Sequence, residues 1–449
     1  MPISGFPELL PSQRFVELAV LDSLRTSFEL HGFAPLETPA VETVDTLLGK
    51  GEVDKEVYVL SRLHAGEEDA DPGLGLRYDL TVPFARFVVE NAGHLQFPFR
   101  RYQIQPVWRG ERPQAGRYRQ FTQADIDIVG QGELPFHHDV EVARVMAEAL
   151  SHLDFLPPAR IQINNRRLIE GFYRGLGATD PAAVMRVIDK LDKLPYDTIL
   201  ALLVTDAGLT DQQAATALAL AEIRTSDTSF LDAVKALGVT HELLTQGLDE
   251  LTAVIDGCAP IAAASGGRVT VEADLRIARG LDYYTGTVFE TRLTGHESLG
   301  SICSGGRYDS LASDGRTTYP GVGISFGLSR TIVPLLLSGM LAASRSVPSV
   351  VLVALENEDS RSTSDDIAQA LRARGIPTEV AASPHKFGKQ IRYAERRGIP
   401  FVWFPGTNEV KDIRSGDQKA ADPAAWTPPT ADLKPQVLTK APPTREGTQ

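Results

Sequence analysis

The stretch PVWRGERPQAGRYRQFTQADIDIVG, from Pro106 to Gly130, decides how the chain is read. Two runs of alternating character, Arg101–Trp108 and Gln120–Val129, flank a loop holding Arg109, Glu111, Arg112, Arg117 and Arg119. Period-two alternation predicts strands with one buried face, and two such runs joined by a polar loop predict an antiparallel hairpin. Its tip would aim several guanidiniums at one place. A guanidinium fork matches phosphate oxygens with two parallel hydrogen bonds. Taken alone, the stretch is equally consistent with a sheet edge kept soluble by charge.

Working outward, the spacing predicts a helix over Ser12–His31, with Phe15, Leu18, Leu21, Leu24 and Phe28 near one face. Strand-like runs occur at Val57–Leu60, Gly75–Tyr78, Arg268–Ala273, Tyr283–Thr291 and Gly321–Phe326, and a helix is expected over Asp139–His152. Residues 166–267 are rich in Ala, Leu and Asp with helical periodicity, which reads as a helical insertion. From Pro348, apolar "SVVLVAL", "IPTEVA" and "IPFVWFPG" alternate with two helical stretches, which predicts a compact α/β module. From Thr427 the Pro- and Thr-rich chain is expected to be disordered. The expected organisation is therefore 1–165 and 268–340 as two parts of one core, 166–267 as an insertion, 348–426 as the α/β module and 427–449 as a tail.

Composition narrows the class. Of 449 residues, 43% are hydrophobic and 23% charged, as in a folded globular protein. No apolar run reaches the ~20 residues that span a bilayer, and no secretory leader is visible. Two cysteines, Cys258 and Cys303, suit a reducing cytosol and allow no disulfide framework; no zinc spacing is present. The net charge of −13 argues against DNA binding through a general basic surface and leaves a local patch as the route to any nucleic acid.

Three further segments concentrate chemistry. "GLRYDLTVPFARF" places Asp79 and Thr81 at alternate positions of an expected strand, so both would face one side and receive an ammonium group. "RIARGLDYYTGTVFE" holds Arg279 and Asp282 before Tyr283 and Tyr284; a buried aromatic pair is the plainer account. "CSGGRYDSL" and "YPGVGISFGLSRTI" combine Gly305 and Gly306, which allow close backbone approach, with Gly321, Gly323 and Gly327 leading to Ser329 and Arg330. A strand of small residues can carry a flat ring while Arg330 reaches a phosphate. A glycine-bulged strand explains the same pattern without a ligand.

Together these motifs resemble the histidyl-tRNA synthetase family, within class II of the aminoacyl-tRNA synthetases. "RGLDYYTGTVFE" and "SGGRYDSL" are close to two signatures of the histidine branch. "WRGERPQAGRYRQF" resembles the class II motif with Arg-x-Glu, and "GFAPLETPAVE", with Pro39, resembles the dimer-forming motif. The resemblance extends to about residue 420.

It implies an α+β fold: a mostly antiparallel sheet flanked by helices, with a helical insertion and an anticodon-binding-type domain. It implies activation of L-histidine with ATP and transfer to histidine tRNA by a cytoplasmic homodimer. Arg109 then resembles the residue gripping the α-phosphate, Glu111 the one near the adenine amino group and Arg330 the one at the γ-phosphate end. Asp79, Thr81 and Gln123 match ammonium-holding positions, and Asp127 and Tyr284, beside Tyr283, match imidazole-reading ones. Arg279 matches the arginine touching both substrate carboxylate and α-phosphate. Arg112 and Gln114 match contacts to the tRNA acceptor end.

Two departures stand out. Ser329 occupies the place of the family's usual motif-three glutamate, so magnesium is expected to be held chiefly by ATP oxygens, with no metal site made by the protein. The C-terminal module looks trimmed before Val410. Two alternative roles share the fold: a histidine-sensing regulatory subunit of ATP phosphoribosyltransferase, and a duplicated synthetase with a specialised task. The intact arginines and the module after residue 348 argue against the first.

Overall fold

The computed structural model describes residues 3–48, 56–63, 73–114, 116–278 and 283–440. Contacts divide the chain into two units: Met1–Pro7 with Asp22–Pro334, and Glu8–Leu21 with Leu335–Gln449.

The first unit is built on a sheet of nine strands among the described residues. They are β1 (Ala34–Pro35), β2 (Phe99–Trp108), β3 (Gln120–Val129), β4 (Ala159–Asn165), β5 (Arg224–Thr225), β6 (Val269–Asp274), β7 (Thr287–Leu293), β8 (Cys303–Tyr308) and β9 (Gly321–Gly327). Their order across the sheet is β1-β2-β3-β9-β8-β7-β4-β6-β5. The pairs β2–β3, β3–β9, β9–β8, β8–β7 and β7–β4 are antiparallel, and β4–β6 is parallel.

Alternation along β3 explains why this sheet has two unlike faces. Ala124, Ile126 and Ile128 are fully buried on one side. Gln123, Asp125 and Asp127 point to the other. Register continues both faces across the neighbours: Asp127 lies opposite Arg101 on β2 and Gly323 on β9, and Asp125 opposite Gln103 and Ser325. The apolar face is covered by helices α3 (His137–Ser151) and α5 (Glu242–Ala264), which also pack on each other. Val142, Met146 and Ala149 supply the buried stripe of α3. Helix α2 (Thr81–Asn91) caps one end of the polar face, where Phe84 and Val88 cluster with Val129.

Two expectations are corrected here. Asp79 and Thr81 do not alternate on a strand. The strand ends at Leu76, Thr81 opens α2, and Oδ1 of Asp79 accepts the N–H of Val82 at 2.9 Å. A short acidic side chain before a helix satisfies an orphan donor of its first turn, and that local bond outweighs the three-residue alternation. Likewise, β7 begins only at Thr287, and Tyr283 sits in the turn before it.

Residues 166–267 are mainly helical, from α4 (Arg166–Gly175) to α5. They remain in the same compact unit as the sheet: β5 extends its edge and α5 packs beneath it. Asn165 caps α4 by accepting from the N–H groups of Arg167 and Leu168.

The second unit has a mixed sheet in which Val351–Val353 runs parallel to Thr378–Val380 and Phe401–Phe404, followed by the antiparallel strands Glu409–Asp412 and Gln418–Ala420. Helices α6 (Leu328–Leu337, whose last turn lies here), α7 (Arg361–Ala373) and α8 (Phe387–Arg397) follow in chain order. Val351, Val353, Ile367, Leu371 and Trp403 form one core cluster. The strand before Val410 is a four-residue turn away from Glu409, so the hairpin is short, yet five strands complete the sheet among the described residues. The expected disorder from Thr427 is corrected for residues 427–440. Val437–Thr439 pairs antiparallel with Leu341–Ala343, and Trp426 packs edge-on against Trp403 at 5.7 Å. Composition points to a solvated tail, but partnered backbone and a half-buried aromatic anchor overcome it.

Candidate active site

The polar face of the first unit carries two adjoining cavities. The first is a cleft lined by Arg109, Glu111, Arg117, Phe121, Gln123 and Arg330, with Ser304, Ser325 and Gly327 forming part of its floor. The second is narrower and is lined by Thr81, Asp125, Asp127, Tyr283, Tyr284 and Tyr308 over Gly306 and Gly323. Ser304 and Ser325 line both, so the cavities meet there.

In the cleft, Arg109 is held from three sides. Its N–H donates to the carbonyl of Arg119 at 2.8 Å, its Nε donates to the carbonyl of Tyr78 at 3.0 Å, and its guanidinium lies 5.0 Å over the Phe121 ring. The terminal nitrogens therefore project forward as a pre-aimed fork. Arg330, in the first turn of α6, donates from Nε to the carbonyl of Leu299 at 2.8 Å. Glu111 pairs with Arg117 at 3.3 Å. The hairpin tip does not aim all its arginines inward. Arg112 and Gln114 are exposed, and Arg119 turns back to the carbonyl of Glu111 at 3.4 Å. Gln114 and Arg117 bridge one another around Gly116, whose φ of 73° needs glycine.

Oδ1 of Asp127 accepts from the Tyr308 hydroxyl at 2.7 Å, and Oδ2 lies 2.7 Å from Nη2 of Arg101. Arg101 is fully buried and stacks 4.3 Å over Phe84. The Tyr283 hydroxyl donates to that of Tyr284 at 3.0 Å. Burial pushes Tyr283 up to about 12 and Tyr284 well above the ordinary phenol value, so both remain neutral hydroxyls. Gln123 donates to Oγ of Ser325 at 2.6 Å. A Cβ at Gly323 would meet Oδ1 of Asp127 at 2.1 Å, so glycine there makes room for the carboxylate.

Of the residues expected to form the site, Arg109, Glu111, Gln123 and Arg330 meet in the cleft, and Thr81, Asp127, Tyr283 and Tyr284 in the pocket. Asp79 lies beside them, where its charge raises Tyr283 and Asp125. Arg279 lies outside the described residues. Gly305 and Gly306 line the inner pocket, and the packing around them also demands glycine. A Cβ on Gly305 would strike the carbonyl of Gly323 at 2.0 Å, and one on Gly306 would reach Tyr284 at 2.9 Å, so strand pairing and aromatic packing require them.

Ser329 is buried, and its Oγ accepts the N–H of Thr122 at 3.0 Å. Among the described residues, no group of three or more His, Cys, Asp or Glu could hold a metal. At the cleft, Glu111 is the carboxylate available, and it already serves Arg117.

Two residues carry weight that the sequence reading passed over. Asp125 shares its face with Gln123 and Asp127 by simple alternation. Arg307, in "SGGRYD", turns to the opposite face, where its guanidinium donates to Asp139 of α3 at 2.7 Å and to the carbonyl of Leu134 at 3.0 Å.

The fold is that of a class II aminoacyl-tRNA synthetase catalytic unit with an appended anticodon-binding-type domain. A family model described as "Histidyl-tRNA synthetase" matches residues 5–331, and one described as "Anticodon binding domain" matches residues 349–417. The chain belongs to the histidyl-tRNA synthetase family. It is 60% identical to a histidine–tRNA ligase of Micrococcus luteus and 59% identical to one of Cutibacterium acnes, covering 97% of this chain and 98% of each relative. The crystal structure of histidyl-tRNA synthetase from Nostoc sp. PCC 7120 superposes with a TM-score of 0.83 at 34% identity, covering 93% of this chain and 96% of that one.

Proposed function

We propose that the chain is a histidine–tRNA ligase that joins L-histidine to ATP as histidyl-adenylate, releases pyrophosphate and then esterifies histidine to the terminal adenosine of histidine tRNA. One observation carries this reading: an arginine-lined cleft opens, through Ser304 and Ser325, into a pocket of neutral hydroxyls and carboxylates.

The geometry suits the chemistry. Gly327 and the two serines offer a flat floor for a purine, with Phe121 on the wall. Arg109 and Arg330 place fixed cations along a triphosphate chain. In the first step a substrate carboxylate oxygen attacks the α-phosphorus in line, the bond to the bridging oxygen breaks, and pyrophosphate leaves. Both reactants are anions, so preorganised guanidiniums offset their repulsion and stabilise the charge spread over the transition state. Arg279 is assigned to the carboxylate and α-phosphate by resemblance. In the inner pocket, imidazole needs a donor and an acceptor at its two nitrogens. Asp127, oriented by Tyr308 and Arg101, serves as acceptor, and the Tyr283–Tyr284 hydroxyl chain serves its other nitrogen.

Magnesium, bound through ATP oxygens, would supply charge neutralisation for the leaving pyrophosphate. Exposed Arg112 and Gln114 at the hairpin tip are assigned to the tRNA acceptor end. The Pro39 segment supports assembly as a homodimer, and the cysteine usage supports a cytoplasmic setting.

Histidine-dependent exchange of labelled pyrophosphate into ATP, together with charging of histidine tRNA, tests the proposal. Absence of both with folded protein would end it.

A further inference from the structure

Three carboxamide and carboxylate side chains line one face of β3, and their partners differ. Gln123 donates to Ser325 while its Oε1 meets no donor among the described residues, and it borders the nucleotide cleft. Asp127, at the far end, accepts from the Tyr308 hydroxyl and is ion-paired with Arg101 at 2.7 Å. Between them, Asp125 is 2% exposed and lines the inner pocket, and its Oδ1 meets no hydrogen-bond donor among the described residues. A buried carboxylate oxygen without a donor is costly, and it is explained when a ligand supplies the donor.

Position says which part of a ligand that is. Side chains two apart on a strand stand about 6.6 Å apart. Asp125 therefore sits one such step from the cleft-lining Gln123 and one from Asp127. It lies opposite Ser325, which borders both cavities. An α-amino acid that presents its carboxylate to the cleft and its ring to the pocket places its α-carbon, and so its ammonium group, at this threshold.

We propose that Asp125 is a substrate-binding residue that receives the α-ammonium group of the amino acid, joining the Asp79 and Thr81 pair. The inference rests on the histidine-ligase reading of the same pocket. Burial, reinforced by Asp127 and Asp79 and opposed by Arg101 and Ser325, brings the Asp125 carboxyl to about 7 in the empty pocket. Tyr283, Tyr284 and Tyr308, which also face the pocket, stay neutral there. An arriving ammonium favours the ionised carboxyl, so binding drives a proton off Asp125.

The test compares two probes by titration calorimetry on the full chain: histidinol, which has the ammonium, and 3-(imidazol-4-yl)propan-1-ol, which lacks it. Asp125→Asn is expected to weaken histidinol roughly 10-fold or more and leave the deaminated alcohol within about twofold. Equal weakening of both, or none of either, overturns the proposal. A second measurement needs no variant. Below neutral pH, with wild-type protein in buffers of different ionisation enthalpy, histidinol should release more protons than the alcohol, and equal release overturns the assignment. If the wild-type protein binds neither probe, the ligase reading falls first and takes this inference with it.

Discussion

Ser329 Oγ accepts the backbone N–H of Thr122 at 3.0 Å, which pins the first turn of α6 to strand β3. Buried there, the hydroxyl serves the packing of α6 on β3. Ser329→Ala should therefore leave the magnesium dependence of pyrophosphate exchange unaltered while lowering stability by about 1 kcal/mol through the orphaned N–H. A magnesium titration and a denaturation curve on the same variant check both halves. A shifted magnesium optimum would mean that the serine does touch the ion.

Arg109 is aimed by its bonds to Tyr78 and Arg119 and by its stacking on Phe121. Lysine keeps the charge but loses the fork and the stacking surface. Arg109→Lys is expected to slow adenylate formation ~10²–10³-fold with little change in melting temperature. Single-turnover kinetics with histidine and ATP measure it.

Gly323 leaves space that Asp127 fills. Gly323→Ala forces the carboxylate aside, an overpacking cost of ~1–3 kcal/mol, so histidine KM should rise roughly 10- to 100-fold. ATP affinity should hold, because the cleft lies at the other end of β3. Parallel loss of both ligands would instead indicate a general collapse of the sheet.

Arg307 and Asp139 form a buried ion pair between β8 and α3, both nearly inaccessible. Removing one partner strands the other charge in a poorly solvated place. Arg307→Met should cost about 3–5 kcal/mol, read as a lowered denaturation midpoint. The double variant Arg307→Met with Asp139→Leu should recover much of that loss.

The Asp125 carboxyl is raised from its ordinary range to about 7 by burial, so folding favours its protonated form. Its contribution is fully present below the unfolded value of roughly 3.9 and is lost as pH rises through about 7. In the absence of ligand, wild-type stability should therefore fall between about pH 4 and 7, and level off above, relative to Asp125→Asn. Thermal melts of the two proteins across that range check it, and parallel curves would falsify the assignment.

Much of this architecture can be read from residues. Alternation over Gln120–Val129 gives the strand, its buried face and its polar face, and it already places Asp125 with Gln123 and Asp127. Only that period marks Asp125, because none of the signature motifs singles it out. Asp79–Leu80–Thr81 misleads because three residues suit a strand or a helix cap equally, and only the bond to Val82 decides. Arg307 could not be placed from sequence, since its partner lies 168 residues away. The stretch after Thr427 looked solvated because composition says nothing of a strand partner nearly a hundred residues earlier.

That partnership has a practical corollary. With Val437–Thr439 zipped to Leu341–Ala343, the entry and exit of the C-terminal module stand side by side, like the two leads of a plug. An exchange of this module between synthetases should cut outside both strands together, since a graft that keeps one and discards the other would leave a raw sheet edge open to aggregation.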